Sequence, residues 1–132
     1  MGTESEYPAM LRYTFVLHFI VAFVFGFMLF LIPDTFNTLI GHTVPADPVN
    51  IGFGVMMIGI GVGSVLAFRA TKWETVILFV QMEIFYSLLA VIGGLYTIML
   101  GTYPIWFMWF YVGIMALFFV LFLIPYYKHM KS

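Results

Sequence analysis

Glu83 is the one acidic or basic residue that falls well inside an apolar stretch of this sequence. A charge in hydrocarbon costs about 2.5–3.5 kcal/mol on insertion scales, so it needs a partner or a proton. Depth along the chain selects the partner. His18 lies six residues past Arg12, about 9 Å along a helix, and Glu83 lies nine residues past Glu74, about 13 Å. Both distances run from the same edge, and Gln81 and Ser64 fall in the same half of the layer. A His18–Glu83 pair with Ser64 or Ser87 as supporting hydroxyl is therefore expected. Two chemistries fit those residue types. One is a proton-handling site, or a contact to a quinone headgroup. The other is a protonated Glu83 bonded to His18 or to a carbonyl, which would hold helices in register and do nothing else.

Other chemistries find fewer residues. Bis-histidine haem ligation needs two histidines in the membrane, and only His18 qualifies, since His42 and His129 fall in a loop and the tail. The 10 methionines of so apolar a chain read as flexible filling. His42 and Asp47 share a loop, but two ligands do not define a metal site. No H-E-x-x-H, G-x-S-x-G or phosphate-cradling glycine loop is present, and the absence of cysteine removes thiolate, iron–sulfur and disulfide chemistry. No catalytic residue, metal or cofactor is expected from the sequence.

The elements that must position Glu83 follow from composition. Of 132 residues 64% are hydrophobic and 8% charged, against about 25% charged in a soluble domain. Too little polar surface remains to face water, so the chain is an integral membrane protein. With 5 Lys+Arg against 6 Asp+Glu it has no basic patch for nucleic acid. Four stretches reach the length of about 20 apolar residues that a spanning helix requires: Tyr13–Ile32, Asn50–Phe68, Val76–Leu100 and Ile105–Ile124. They are apolar on both faces, whereas barrel strands alternate. The first is too long for the core of a signal peptide and no A-x-A-like site follows Ile32, so it reads as a retained span. One domain, residues 1–132, is expected: an all-α bundle of four transmembrane helices.

Charge gives its orientation. Arg12 precedes the first span, Arg69 and Lys72 separate the second from the third, and Lys128 and Lys131 follow the fourth. All five cations thus fall on one side, which the positive-inside rule makes cytoplasmic, with both termini. On the other side, Pro33 ends the first helix. Asp34 or Thr35 can cap a short interfacial helix whose Phe36, Leu39 and Ile40 share a face, and Gly41 can close it.

Helices in lipid approach closely through small residues. Gly59, Gly63 and Ala67 form such a stripe at spacing four on the second span. Thr14, His18, Ala22 and Gly26 share a face of the first, and Glu83, Ser87, Ala90, Gly94 and Thr97 a face of the third. The fourth is bulky, with Gly113 and Ala116 as its expected contact points.

Residues Pro33 to Leu95 resemble the small four-helix membrane proteins grouped as DoxX-like. The shared features are Ile32-Pro33-Asp34, Leu39-Ile40-Gly41, then Asn50-Ile51-Gly52-Phe53-Gly54 opening a glycine-rich helix that ends in Ala67-Phe68-Arg69. Asn50 stands where an arginine often opens that helix in the family. The resemblance implies the four-helix fold and a respiratory-chain neighbourhood, because some members are subunits linked to a thiosulfate:quinone oxidoreductase. The expected function is an accessory or structural subunit of a larger membrane complex, of respiratory or quinone-linked type, in the plasma membrane of a prokaryote. The alternative is an oligomeric proton-coupled transporter or channel protomer using Glu83 and His18. Expected partners are the lipid bilayer and other membrane subunits or further copies of the chain, not nucleic acid.

Overall fold

The computed structural model describes residues 6–132, and they form five helices: α1 (Ala9–Leu31), α2 (Pro33–Ile40), α3 (Pro48–Arg69), α4 (Trp73–Leu100) and α5 (Ile105–Lys131). In hydrocarbon each peptide group must be satisfied within its own segment, which makes helix the answer for apolar runs of this length. The four long helices are each long and apolar enough to cross a membrane. They outrun the apolar runs that mark them. α1 begins at Ala9 rather than Tyr13, and α5 continues through Pro125 to Lys131. Hydropathy reports only the apolar middle of a helix. Pro125 lacks only its own N–H, and the turns on either side of it stay helical.

The connection from α1 to α3 departs from expectation in its capping. Pro33 both stops α1 and occupies the first turn of α2, so Ile32 rather than Asp34 or Thr35 is the N-cap. The Asp34 carboxylate accepts the Ala46 backbone N–H instead, at 2.8 Å, and folds the loop back. Gly41 closes α2 in the left-handed conformation (φ 82°) that a glycine adopts without strain. Phe36 and Ile40 are buried, but Leu39 is 64% exposed and does not share their face. Asp47 then caps α3, accepting from Val49 and Asn50 N–H while the Asn50 side chain accepts from Asp47 N–H.

α1 packs along α3 and α4 along α5, and α1 also meets α5, whereas α3 and α4 touch little beyond their short joint. The tightest approach is backbone on backbone. A Cβ built on Gly54 would lie 2.8 Å from Gly26 O and from Phe30 N, and one on Gly26 would lie 3.1 Å from Gly54 O. Gly61 sits under the Phe23 ring, Gly63 under Phe79, and Gly94 against Val112. Gly59 and Gly113 are corrections to the expected packing, since a Cβ at either would meet nothing within 4 Å. Ala67 is buried, in the cluster built on Leu11, Phe15, Val76, Val80 and Phe122.

Two residues around the α1 start, Tyr7 and Arg12, tie the charged end together. Tyr7 Oη donates to Ala67 O (2.9 Å) and Phe68 O (3.2 Å), and Arg12 donates to Phe68 O (2.9 Å) and Ala70 O (3.2 Å). Phe68 O and Ala70 O lie at the end of α3, where a helix leaves carbonyls without a partner, and Ala67 O accepts the Ala70 N–H as well as the phenol. The guanidinium also lies over the Tyr7 and Phe68 rings, 5.1 and 5.3 Å from their centroids. Burial pushes the Tyr7 phenol up, against the opposing pull of Arg12, so it stays protonated and donating at neutral pH.

Candidate functional site

Three helices deliver one polar side chain each to a common point. His18 comes from the buried face of α1 that also carries Leu11, Thr14, Phe15 and Ala22. Ser64 comes from α3 and Glu83 from α4. Ser64 and Glu83 are fully buried and His18 is 5% exposed. His18 Nδ1 lies 2.6 Å from Ser64 Oγ, and His18 Nε2 lies 3.1 Å from Glu83 Oε2. The result is a continuous chain, Ser64–His18–Glu83, that links α1, α3 and α4. α5 closes it with hydrocarbon: the Phe118 and Phe122 rings stand edge-on to the imidazole, at 4.7 and 5.3 Å between centroids.

The chain has one incomplete end. The His18–Glu83 approach is an ion-pair distance but lies off the line of a hydrogen bond, and Glu83 Oε1 meets no donor. A buried carboxyl with an unpaired oxygen is the least stable part of such a network. One proton shared between imidazole and carboxyl can be placed in two ways. With the proton on His18, both ring nitrogens donate, one to Glu83 and one to Ser64. With it on Glu83, the carboxyl donates to Nε2 and the Nδ1–H donates to Ser64. Ser64 accepts in both, so its hydroxyl can hold the ring in one orientation for either placement.

The other expected members of this cluster lie apart from it. Ser87 is fully buried, but its hydroxyl donates to the Glu83 backbone carbonyl within α4 rather than to the side-chain chain. Thr14 likewise donates to Met10 O of its own helix. Gln81 is a correction: its amide donates to Tyr126 Oη of α5 at 2.9 Å, near the charged end, and it takes no part in the His18 site. His42 stacks on Tyr103 (4.2 Å between centroids, 13° between planes), while Asp47 is spent on the cap of α3. Those two loop residues therefore do not converge on a common point. The residues that sequence reasoning missed are Phe118 and Phe122, which set the apolar wall around the imidazole; aromatic residues on an all-apolar helix carry no signal of which of them face inward. Comparison with known proteins adds nothing to this geometry: no family model, no curated protein and no solved structure matches the chain.

Proposed function

We propose that this chain is a small non-catalytic membrane protein that serves as an accessory or structural subunit of a larger membrane complex. The observation that supports this most is the closure of its polar site. Ser64, Glu83 and Ser87 have no exposed surface and His18 almost none, so a substrate has no access to the groups with chemistry. What they do instead is join α1, α3 and α4 in one register, as polar bonds between helices do in lipid. The DoxX-like resemblance suggests a respiratory or quinone-linked complex, in a prokaryotic plasma membrane. α5 offers a partner the large exposed side chains Trp106, Trp109 and Phe110. The test is purification from native membranes in mild detergent followed by native mass measurement. A stoichiometric complex with a larger membrane assembly, weakened by Trp109→Ala, is expected. Isolation as a free monomer or as a homo-oligomer alone would overturn it.

A second reading has its own support. The unpaired Glu83 Oε1 and the two-way placement of one proton suit a proton-coupled transporter or channel protomer, assembled from several copies. In that case the homo-oligomer is the result of the same purification.

In either role we place both termini and the α3–α4 joint in the cytoplasm, with α2 lying in the outer interface. Arg12, Arg69, Lys72, Lys128 and Lys131 all belong to the end of the bundle where Arg12 meets the end of α3, which is the basis of that orientation. An impermeant thiol reagent added to intact cells is expected to label Thr43→Cys and to leave Thr71→Cys unlabelled. The opposite pattern inverts the protein.

A further inference from the structure

Towards the α2 end, the α1/α3 and α4/α5 pairs separate around a cavity of about 360 Å³. Its volume lies at the small end of the range for ligand sites, roughly 300–1,000 Å³. Phe25, Phe53, Phe107 and Phe110 form its walls, with Met57 and Met115 beside them. Ala90, Gly93 and Gly94 leave the α4 side nearly flat. No Asp, Glu, Lys, Arg or His lines it. The polar side chains on it are Asn50, Thr97, Tyr103 and Tyr111, and the first three belong to the ends of α3 and α4 and to the turn before α5. Asn50 Nδ2 and Tyr103 Oη lie 3.3 Å apart there.

Water does not suit most of this space. A buried water needs two to four polar partners, and away from the few polar side chains the walls are phenylalanine, leucine and methionine, an apolar lining of the kind that stays dry. An ionised headgroup does not suit it either, since a charge buried without a counter-charge is prohibitively costly. The route in is lateral. α1 meets α5, whereas α3 and α4 hardly touch, and Gly93 of α4 on the cavity wall is exposed, which makes the gap between α3 and α4 the natural entrance. The volume corresponds to roughly a dozen water-sized groups, enough for one medium-length chain and not for the two of a phospholipid.

We propose that this cavity is a binding site for an uncharged single-chain amphiphile, such as a long-chain alcohol, which enters from the bilayer between α3 and α4. Its apolar chain lies among the phenylalanines and its small hydroxyl head reaches Asn50 and Tyr103. The site is separate from the Ser64–His18–Glu83 chain, none of whose members lines it, and it does not depend on the subunit role.

Gly93 supplies the test. It lines the cavity, yet a Cβ there meets nothing within 4 Å, so a large side chain fills space without striking backbone. The protein in phosphatidylcholine vesicles is photolabelled with a diazirine analogue of dodecanol, with and without excess dodecanol. The expected result is saturable label in segments 50–57 and 90–97, abolished by competitor. It should fall at least about tenfold in Gly93→Phe, the factor that corresponds to about 1.4 kcal/mol, with thermal stability unchanged. Ala90→Phe fills the same cavity from the adjacent turn and should lose label equally, which keeps the test decisive if one variant does not fold. Label spread over all lipid-facing segments and indifferent to competitor means annular contact only and overturns the proposal. So does label that persists in the folded variants.

Discussion

Gly54→Leu is expected to be the most damaging single substitution in the bundle, with Gly59→Leu close to neutral. Both glycines sit on α3, five residues apart, in a helix rich in glycine. They differ in what a side chain would meet. At Gly54 it meets the α1 backbone: Gly26 O and Phe30 N at 2.8 Å and Leu29 Cβ at 2.9 Å, none of which can swing aside. The helices must part, and α1–α3 is the most extensive contact in the molecule. Overpacking by even a few methylenes costs typically about 1–3 kcal/mol, and a leucine against backbone lies at or beyond the upper end. At Gly59 a side chain enters open space. Gly63→Leu falls between them, because the atoms it strikes belong to the Phe79 ring, which can turn. Thermal unfolding in detergent, read by circular dichroism, should rank the three as Gly54, Gly63, Gly59. Equal losses for Gly54→Leu and Gly59→Leu would mean that α1 and α3 do not approach as described.

That ranking shows where the sequence was legible and where it was not. The existence of the long helices follows from hydrocarbon's demand for internal hydrogen bonding, and the apolar runs declare it. The meeting of His18 and Glu83 was readable for a related reason: an ionisable group at that depth has very few places to go. The rotation of α3 was legible only in part, because its small residues offer two overlapping stripes. Of Gly59, Gly63 and Ala67, which repeat at four, Gly63 packs under Phe79 and Ala67 is buried while Gly59 faces open space; the buried set is Gly54, Gly61, Ser64 and Ala67. Ser64 carries the deciding signal, since a hydroxyl in a span turns inward, and the heptad drawn back from it runs through Gly61. Gln81 had a similar clue. It precedes Glu83 by two residues, about 200° around a helix, so the two side chains do not share a face. The cap that Tyr7 and Arg12 place on α3 bridges some 60 residues of chain, beyond the reach of any local pattern.

The largest coupled effect should come from His18 and Glu83 together. His18→Leu alone strands the Glu83 carboxyl, whose Oε1 already has no donor, in a site with no solvent. Breaking a buried pair on one side costs about 3–5 kcal/mol in soluble proteins, because the remaining charge is uncompensated. Interhelical polar pairs measured in membranes are weaker, at most about 1.7 kcal/mol, since the separated helices also find partners. The carboxyl can in addition take up a proton, so a loss between those figures is expected. Glu83→Leu alone should cost less, because a neutral imidazole still keeps its bond to Ser64 at 2.6 Å. The double change His18→Leu with Glu83→Leu should recover most of the loss, as apolar replacement of a buried pair often does. Strictly additive single losses would show that the two side chains do not interact. Glu83→Gln then separates register from proton transfer. The amide can accept from or donate to His18 and should fold at near wild-type stability, but it cannot exchange a proton. If the pair only locks the helices, the assembled complex keeps its activity in Glu83→Gln. If the pair carries a proton, as the transporter reading requires, that activity is lost although the variant still folds and assembles like the wild type.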